Sequence, residues 1–377
     1  MSVQSSAAVR AVTDDLRLDQ RFMTLALALG QRGFGRTWPN PAVGAVLVKD
    51  GVIVGRGWTQ AGGRPHAEIE ALRRAGAAAR GATLYVTLEP CSHYGKSPPC
   101  ADAIVAAGVA RVVSAIEDPN PKVAGSGHAR LRAAGIAVDV GIGAAAARRH
   151  HAGHIRRMRE GRPHVTLKLA VSADGKAGAA GRRPFAITGD TVRDKVHLLR
   201  AQSDAIMIGV GTALADDPVL TCRLPGMAEN SPLRIVLDSA LRLPLGSCLV
   251  QTTRQTPVWV IAGPQAPRAA EEALRAHGVD VMHASETDGR LDLAMVLQLL
   301  GARGITRLLT EGGPTLAAAL LAADLVDDAV LFHSDKIIGS DGVEALNAAA
   351  WASLKHQLTH VTSLPVGTDR QEIYERG

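Results

Sequence analysis

The chain has few aromatic residues, few cysteines and no long hydrophobic run. Aromatic side chains make up only 3% of the 377 residues, which argues against binding of single-stranded nucleic acid by base stacking. No apolar run reaches the roughly 18 residues that a membrane helix needs. The first residues contain Asp14 and Asp15 and lack the apolar core of a secretory signal. We therefore expect a cytoplasmic protein whose four cysteines do not form a disulfide framework.

The length of the chain predicts two domains, and its hydrophobic fraction of 46% can fill two cores. The formal net charge is +6, and a basic cluster over 148–159 is more typical of a solvated linker than of a nucleic-acid contact. We expect a disordered tail over 1–18, a first domain over 19–147, a basic linker over 148–162 and a second domain over 163–377.

The first domain has the pattern of a mixed α/β fold. Asp50-Gly51 separates two apolar runs, which predicts a β-hairpin. Helical and strand-like segments then alternate as far as Val140. This order predicts a three-layer α/β/α domain.

One histidine, one carboxylate and two cysteines lie close together in the first half. His66, Cys91 and Cys100 supply three ligands of the types that zinc prefers, and a catalytic zinc takes three ligands from the protein. Glu68 is then free to move protons. A helix is predicted from Glu68 onward, with Pro65 just before His66. Residues two apart on a helix lie about 200° apart, so His66 and Glu68 converge only if the helix end points into the site.

Three other interpretations of these residues stay open. His93 as a fourth ligand would make the zinc site structural. Cys91 and Cys100 would form a disulfide in an oxidising compartment, or they would be inert buried thiols beside a chance H-x-E pattern.

Two glycine-rich loops follow predicted strands in the second half, at 209–212 and 311–315. Glycine lets backbone N–H groups approach a phosphate, and the second loop also opens a predicted helix. Tight turns are the alternative for each loop. Neither loop is a full G-x-G-x-x-G followed by a ribose-binding acid, so an ordinary Rossmann domain is not indicated.

The motifs resemble those of a known enzyme family. H-x-E at His66 followed by Pro90-Cys91 resembles the zinc-dependent nucleobase deaminases. The insert over 92–99, between Cys91 and Cys100, and the motif over 40–44 make the resemblance more specific. Together they resemble the deaminase half of the RibD family of bifunctional riboflavin-biosynthesis proteins. The second half resembles the same family in a series of motifs in the family's order: Lys168-Leu169-Ala170, Ile187-Thr188-Gly189, Leu199-Arg200-Ala201, Gly211-Thr212, Leu237-Asp238-Ser239 and Glu311-Gly312-Gly313-Pro314.

The resemblance implies a cytidine-deaminase-like first domain and a dihydrofolate-reductase-like second domain. It implies one Zn²⁺ per chain in the first site and NADPH in the second. The implied reactions are hydrolytic deamination of a phosphoribosylated diaminopyrimidinone, followed by reduction of the ribosyl group to ribityl. The implied partner is this small molecule, with no nucleic acid and no membrane, and we expect a homo-oligomer.

The resemblance also implies a set of site residues, position by position. His66, Cys91 and Cys100 would bind zinc, with Glu68 as the catalytic residue. The implied cofactor contacts are Ala170, Thr212, Asp216, Ser239, Gly313, Pro314, Thr315, Leu316, Ala317, Ala318 and Ala319. The implied substrate contacts are Asn40, Arg200, Leu220, Arg223 and Glu311.

Several roles are expected for individual residues. Arg200 and Arg223 would hold the substrate phosphate through bidentate contacts. Lys168 and Asp174 are candidates for the proton donor of the reduction. Lys96, with the neighbouring His93, is a candidate contact for the phosphoribosyl arm.

The sequence departs from the family pattern at Pro184-Phe185-Ala186, where the family often has Ser-x-Trp. A serine contact to substrate and a tryptophan contact to cofactor are therefore missing there. Three other functions stay open: a deaminase with a degenerate reductase half, a nucleic-acid base deaminase with an RNA-binding second half, and a non-catalytic zinc-stabilised binding protein.

Overall fold

The computed structural model describes residues 3–94, 98–121, 123–179 and 186–377. The chain folds into two compact units, Met1–Glu160 and Gly161–Gly377. Among the described residues, no helix is both long enough and apolar enough to cross a membrane.

The first unit is a five-stranded sheet with helices around it. Its strands are β1 (Gly44–Lys49), β2 (Val52–Trp58), β3 (Thr83–Val86), β4 (Arg111–Ser114) and β5 (Ala137–Val140). Its helices are α1 (Val3–Gly30), α2 (Ala67–Ala75), α3 (Cys100–Ala107), α4 (Ser126–Ala133), α5 (Ala144–His150) and α6 (Ala152–Glu160). The sheet order is β2-β1-β3-β4-β5.

The sheet combines the predicted hairpin with a parallel half. β1 and β2 pair antiparallel, whereas β3, β4 and β5 pair parallel to one another. α1 crosses β1 closely, because a Cβ atom at Gly44 would lie 1.8 Å from the carbonyl oxygen of Ala26. Only glycine at this position permits that approach.

Two segments differ from the sequence prediction. Residues 1–18 were expected to form a disordered tail, but α1 begins at Val3 and continues through them. The segment has no glycine or proline that would end a helix. The basic linker predicted over 148–162 contains the end of α5 and the whole of α6. Its apolar periodicity is weak in the sequence because buried histidines, His150, His151 and His154, occupy its inward positions.

The second unit is built on a larger sheet. Its strands are β6 (His164–Val171), β7 (Lys176–Gly178), β8 (Ala205–Gly209), β9 (Leu233–Leu237), β10 (Val258–Ala262), β11 (Asp280–His283), β12 (Glu286–Thr287), β13 (Arg290–Leu291), β14 (Arg307–Thr310), β15 (Asp328–His333), β16 (Val343–Glu344), β17 (Thr359–Val366) and β18 (Asp369–Glu375). Its helices are α7 (Asp190–Ala201), α8 (Val210–Asp216), α9 (Cys248–Gln251), α10 (Arg268–Ala276), α11 (Leu293–Ala302), α12 (Pro314–Ala322) and α13 (Ala348–Gln357).

The main sheet of this unit has nine strands in the order β11-β10-β9-β8-β14-β6-β15-β18-β17. The pairs from β11 to β15 are all parallel, and β18 and β17 close the sheet with antiparallel pairs. Strands β9 and β10 are buried along their whole length, as expected for a parallel sheet covered on both faces. The carboxyl ends of the parallel strands therefore share one edge.

A buried carboxylate ties α1 to the sheet of the first unit. Asp19 accepts hydrogen bonds from Arg111 (Nη1, 2.9 Å; Nη2, 2.7 Å) and from the hydroxyl of Tyr85 (2.7 Å). Burial alone would raise the pKa of Asp19, but the bonds from Arg111 and Tyr85 hold it below its usual value. The resulting stabilisation is present above the pKa of a free aspartate and is lost as the pH falls through the lowered value.

Replacing Asp19 by Asn is expected to destabilise the first unit by about 2–3 kcal/mol, since it removes a charged acceptor from buried donors. Asp139 is the matched control, because its exposed carboxylate also bonds Arg111, with 2.7 Å from Nε. Asp139→Asn should cost less than about 1 kcal/mol. Calorimetric unfolding of the full chain measures both, and equal shifts would contradict the anchoring role of Asp19.

Candidate active sites

The zinc-ligand candidates come from three different elements of the first unit. His66 is the N-cap residue of α2, and Glu68 lies in the first turn of that helix. Cys91 lies in the loop after β3, and Cys100 is the first residue of α3. The end of α2 brings His66 and Glu68 into the same region, although the two residues would lie on different faces within a helix.

The three ligand atoms of His66, Cys91 and Cys100 all lie within 4.8 Å of one another. Nδ1 of His66 is 3.3 Å from Sγ of Cys100 and 3.7 Å from Sγ of Cys91. The pKa of Cys91 is lowered to about 4, because its thiolate accepts hydrogen bonds from the Cys100 thiol, from His66 and from the backbone N–H of Cys100. Two sulfurs and one imidazole nitrogen fit a tetrahedral zinc ion that keeps its fourth position for water.

The structure bears on two competing interpretations, a disulfide between the cysteines and His93 as a fourth ligand. Cys91 and Cys100 are both free thiols, so the disulfide interpretation is wrong. His93 is exposed and lies outside the group of ligand atoms, so the structure gives no support for it as a fourth ligand.

Glu68, in the same region as these ligands, has an incomplete set of hydrogen bonds. Its side chain is buried, and Oε2 has no hydrogen-bond partner among the residues that the structure describes. Burial raises the pKa of Glu68 to about 7. A buried carboxylate oxygen without a donor is costly. It fits a site where a water molecule and the polar edge of a substrate are the missing donors.

Asn40 has a structural contact beside this site. Its Nδ2 donates to the carbonyl of Gly63 at 2.8 Å, which fixes the loop that leads into His66. A Cβ atom at Gly63 would lie 2.6 Å from Nδ2 of Asn40, so this contact depends on glycine. The substrate contact of Asn40 stays a prediction. Lys96 lies outside the described residues.

In the second unit, the predicted cofactor loops meet at the carboxyl edge of the sheet. The backbone N–H of Gly313, which follows β14, donates to Oγ1 of Thr212, which follows β8, at 3.1 Å. Ala170 lies near the end of β6, and Ser239 follows β9. Because β9, β8, β14 and β6 are consecutive parallel strands, these four positions lie along one edge of the sheet, which is the usual place for a ligand in such a fold.

The remaining cofactor positions are less uniform. α12 begins at Pro314 with Gly313 as its N-cap, so the positive end of the helix dipole lies at the start of the predicted stretch and favours an anion there. Leu316 and Ala317 are buried in that helix, and their backbone N–H groups donate to the carbonyl oxygen of Gly313, so their contact with the cofactor stays a prediction. Asp216 is exposed at the end of α8.

Arg200 and Glu311 form a nearly buried ion pair. Arg200 donates from Nε to Oε1 of Glu311 at 2.7 Å and from Nη2 to Oε2 at 2.9 Å. It also donates from Nη1 to the carbonyl of Thr221 at 3.2 Å. The expectation that Arg200 grips a phosphate with two N–H groups therefore differs from the structure, where Glu311 accepts those bonds.

Other basic side chains lie near this ion pair, and the sequence analysis did not identify two of them, Arg193 and His197. Arg193, His197 and Arg200 share one face of α7, a spacing of four and three residues that the helical period could have revealed. Burial first, and then the charges of Arg200 and Arg223, lower the pKa of His197. Arg223 is exposed, as is Arg193, which pairs with Asp190 at 3.0 Å. Arg223 is therefore an accessible cation of this group.

The register between β14 and β6 places Lys168 beside Glu311. Thr310 pairs with Leu167 across β14 and β6, so Glu311 follows beside Lys168. Leu167 and Leu169 are buried, whereas Lys168 and Ala170 lie on the opposite, partly exposed face of β6. Burial lowers the pKa of Lys168, opposed by the charge of Glu311.

Asp174 and Leu220 differ from their expected roles. Asp174 accepts hydrogen bonds from the Ser172 hydroxyl and from the backbone of Ile338 and Gly339, and these bonds hold its pKa well below the usual range. A carboxylate stabilised in its ionised form is a poor proton donor.

Leu220 has a buried side chain, so a substrate contact there would be made by the backbone. Pro184 and Phe185 lie outside the described residues.

Comparison with known proteins covers both units. A model of the RibD C-terminal domain matches residues 163–369. A model of the cytidine and deoxycytidylate deaminase zinc-binding region matches residues 16–116. The riboflavin biosynthesis protein RibD of Escherichia coli strain K12 is 45% identical, over 86% of this chain and 89% of the relative. Its counterpart in Aquifex aeolicus is 42% identical, over 85% of this chain and 88% of the relative.

Solved structures give the same result. Acinetobacter baumannii RibD superposes with a TM-score of 0.86 at 36% identity, over 96% of this chain and 99% of that protein. A diaminohydroxyphosphoribosylaminopyrimidine deaminase/5-amino-6-(5-phosphoribosylamino)uracil reductase from Thermotoga maritima gives 0.82 at 33% identity, over 96% and 100%. The expected fold class, a cytidine-deaminase-like unit followed by a dihydrofolate-reductase-like unit, is confirmed. The chain belongs to the family of the riboflavin biosynthesis protein RibD.

Proposed function

We propose that this chain is a two-site enzyme of riboflavin biosynthesis. The first unit removes an amine from 2,5-diamino-6-(5-phosphoribosylamino)pyrimidin-4(3H)-one, giving 5-amino-6-(5-phosphoribosylamino)uracil. The second unit reduces the ribosyl group of that product to ribityl with NADPH. The observation that carries the deaminase assignment is the unpartnered, buried Oε2 of Glu68 beside the His66, Cys91 and Cys100 cluster. A homo-oligomer of this chain stays a prediction.

In the first unit, His66, Cys91 and Cys100 would hold the zinc ion. When bound, zinc supplies a water molecule with a pKa near neutrality. Glu68 would accept the two protons of the attacking water in succession, passing the first to the pyrimidine ring nitrogen and the second to the amine that leaves as ammonia. Its buried position excludes bulk water from that transfer, and its raised pKa suits a group that both takes and gives protons.

In the second unit, Gly313, Thr212 and the start of α12 would hold the cofactor phosphates. When bound, NADPH supplies the hydride. The exposed guanidinium of Arg223 would hold the substrate phosphate, while Arg200 positions Glu311 at the crevice. Lys168, beside Glu311, would donate the proton that completes the reduction.

Replacing Cys100 by Ser is expected to lower the zinc content from about one ion per chain to near zero, because it removes one of three protein ligands. Cys222→Ser is the matched control, since Cys222 is a buried cysteine of the second unit. Metal analysis of both purified variants measures the effect. Full zinc occupancy in the Cys100 variant would contradict the ligand assignment.

Replacing Glu68 by Gln should leave the zinc content and the reductase rate unchanged and lower the deamination kcat by about 10²–10⁴-fold, the usual contribution of general acid–base catalysis. Glu70→Gln is the control on the same helix, because Glu70 is also buried but bonds to Arg73 and Arg74. Ammonia release under saturating substrate measures kcat. Wild-type deamination by the Glu68 variant would contradict the catalytic role of Glu68, whereas no deamination by the unmodified, zinc-loaded chain would favour a non-catalytic zinc-binding protein.

Replacing Lys168 by Met should lower the reduction kcat by about 10²–10⁴-fold and leave the deamination rate unchanged. Lys195→Met is the control, because Lys195 is exposed, and it should change neither the reduction rate nor the deamination rate. The lowered pKa of Lys168 means that its protonated form is lost at a lower pH than that of a free lysine. The reductase kcat/KM should therefore fall as the pH rises, and Lys168→Arg should move that fall to higher pH.

The loss of NADPH absorbance on oxidation follows the reductase reaction. A pH profile that is the same for the wild type and for the Lys168→Arg variant would show that another group donates the proton. Deamination without any NADPH oxidation by the unmodified chain would instead favour a degenerate reductase half.

A further inference from the structure

Glu89, two residues before the ligand Cys91, has a buried carboxylate with an unusual set of partners. Oε1 accepts hydrogen bonds from the backbone N–H groups of Gly127 (2.7 Å) and His128 (3.3 Å). Oε2 accepts from those of Gly125 (2.9 Å) and Asp118 (3.0 Å). An ionised carboxylate has about four lone-pair sites, and here all four are directed at backbone donors.

These donors belong to the segment between β4 and α4, which we call the β4–α4 loop (residues 115–121 and 123–125), and to the first turn of α4. The N-cap residue of α4 is Gly125, which has no side chain to accept from the first free N–H groups of the helix. Glu89 supplies that cap from another element, and its negative charge suits the positive end of the helix.

A close backbone contact joins the same two segments. A Cβ atom at Gly127 would lie 2.0 Å from the carbonyl oxygen of Pro90, so only glycine lets α4 approach the residue that precedes Cys91. On the other side of Cys91, Arg130 donates from Nη1 to the carbonyl of Ser92 at 3.5 Å. We call the segment between β3 and α3 the zinc loop (residues 87–94 and 98–99). The start of α4 is therefore docked on the zinc loop both before and after Cys91.

The sheet brings the two loops to the same place. β3 and β4 are neighbouring parallel strands, with Val86 opposite Ser114. The zinc loop leaves the carboxyl end of β3, and the β4–α4 loop leaves the carboxyl end of β4. Ligands of α/β sheets bind in the crevice beyond such ends, which makes the β4–α4 loop a neighbour of whatever the zinc site binds.

We propose that Glu89 is a positioning residue of the deaminase reaction. Its carboxylate fixes the β4–α4 loop against the zinc loop, so that the β4–α4 loop forms a rigid wall of the pocket that receives the pyrimidine. This inference rests on the proposed deaminase function. Glu89 touches neither the metal nor the reacting atoms, and it acts through the loop that it holds.

A second metal site is the competing explanation, because ligand atoms of Glu89, Glu117 and His128 lie within 4.8 Å of one another. The hydrogen bonds of Glu89 argue against it. Its lone pairs already point at four N–H donors, whose positive ends would repel a cation. Glu117, by contrast, is exposed.

The test uses the full chain with Glu89→Gln, which keeps the shape of the side chain but turns an NH₂ group toward two of the N–H donors. We expect a loss of at least about tenfold in deamination kcat/KM, mainly as a raised KM, because a displaced wall weakens substrate binding more than proton transfer. Zinc content and NADPH-dependent reduction should stay at the wild-type level. Gly127→Ala, which displaces the same contact sterically, should reproduce this loss.

Glu117→Gln is the matched control, since it removes an exposed carboxylate of the β4–α4 loop itself without removing any of the four bonds, and its deamination should equal that of the wild type. Equal kcat and KM in wild type and the Glu89 variant would overturn the inference alone. Loss of zinc together with kcat in the Glu89 variant would also overturn it, because Glu89 would then only hold the unit together. A second metal equivalent that Glu117→Gln removes would replace it with a metal site. A wild-type chain without deaminase activity would overturn the proposed function and, with it, this inference.

Discussion

Neighbouring parallel strands end at one edge of their sheet, and this constraint assembles both candidate sites from residues that are far apart in the chain. In the first unit, the loops after β3 and β4 carry Cys91 and the partners of Glu89. In the second unit, the loops after β8 and β14 meet through the bond from Gly313 to Thr212. The strands themselves are buried and apolar, so the chemistry lies in loops whose starting points the sheet fixes.

The two edges gather opposite kinds of charge. The first holds thiolates and a carboxylate around an imidazole, which is a ligand set for a cation. The second places the carboxylate of Glu311 beside the cations of Lys168 and Arg200 and the imidazole of His197. Burial opposes ionisation of Glu311, but Arg200 and Lys168 hold its pKa below the usual value. A crevice with this excess of positive charge suits phosphorylated ligands, which is the chemistry that both NADPH and a phosphoribosylated substrate present.

Much of the fold could be predicted because it is local. The Asp-Gly hairpin, the periodic helices and the apolar strands each have a signal within a few residues. The zinc motif could be found for a similar reason, since His66, Cys91 and Cys100 are rare residue types in a recognisable order. Helices over 148–160 could not, because buried histidines replace apolar residues there. The bonds that Glu311 accepts from Arg200, and those that Glu89 accepts from α4, join residues distant in sequence. Pairs of this kind follow no fixed sequence spacing, so a single sequence does not reveal them.

The central claim is that one chain catalyses two separate reactions, a deamination and an NADPH-dependent reduction. Mass spectrometry of the phosphoribosylated diaminopyrimidinone after incubation with the pure protein, with and without NADPH, tests this directly. We predict replacement of one amine by oxygen in the absence of NADPH, and the same change plus two added hydrogens in its presence. An unchanged substrate under both conditions, with zinc bound to the protein, would contradict the account.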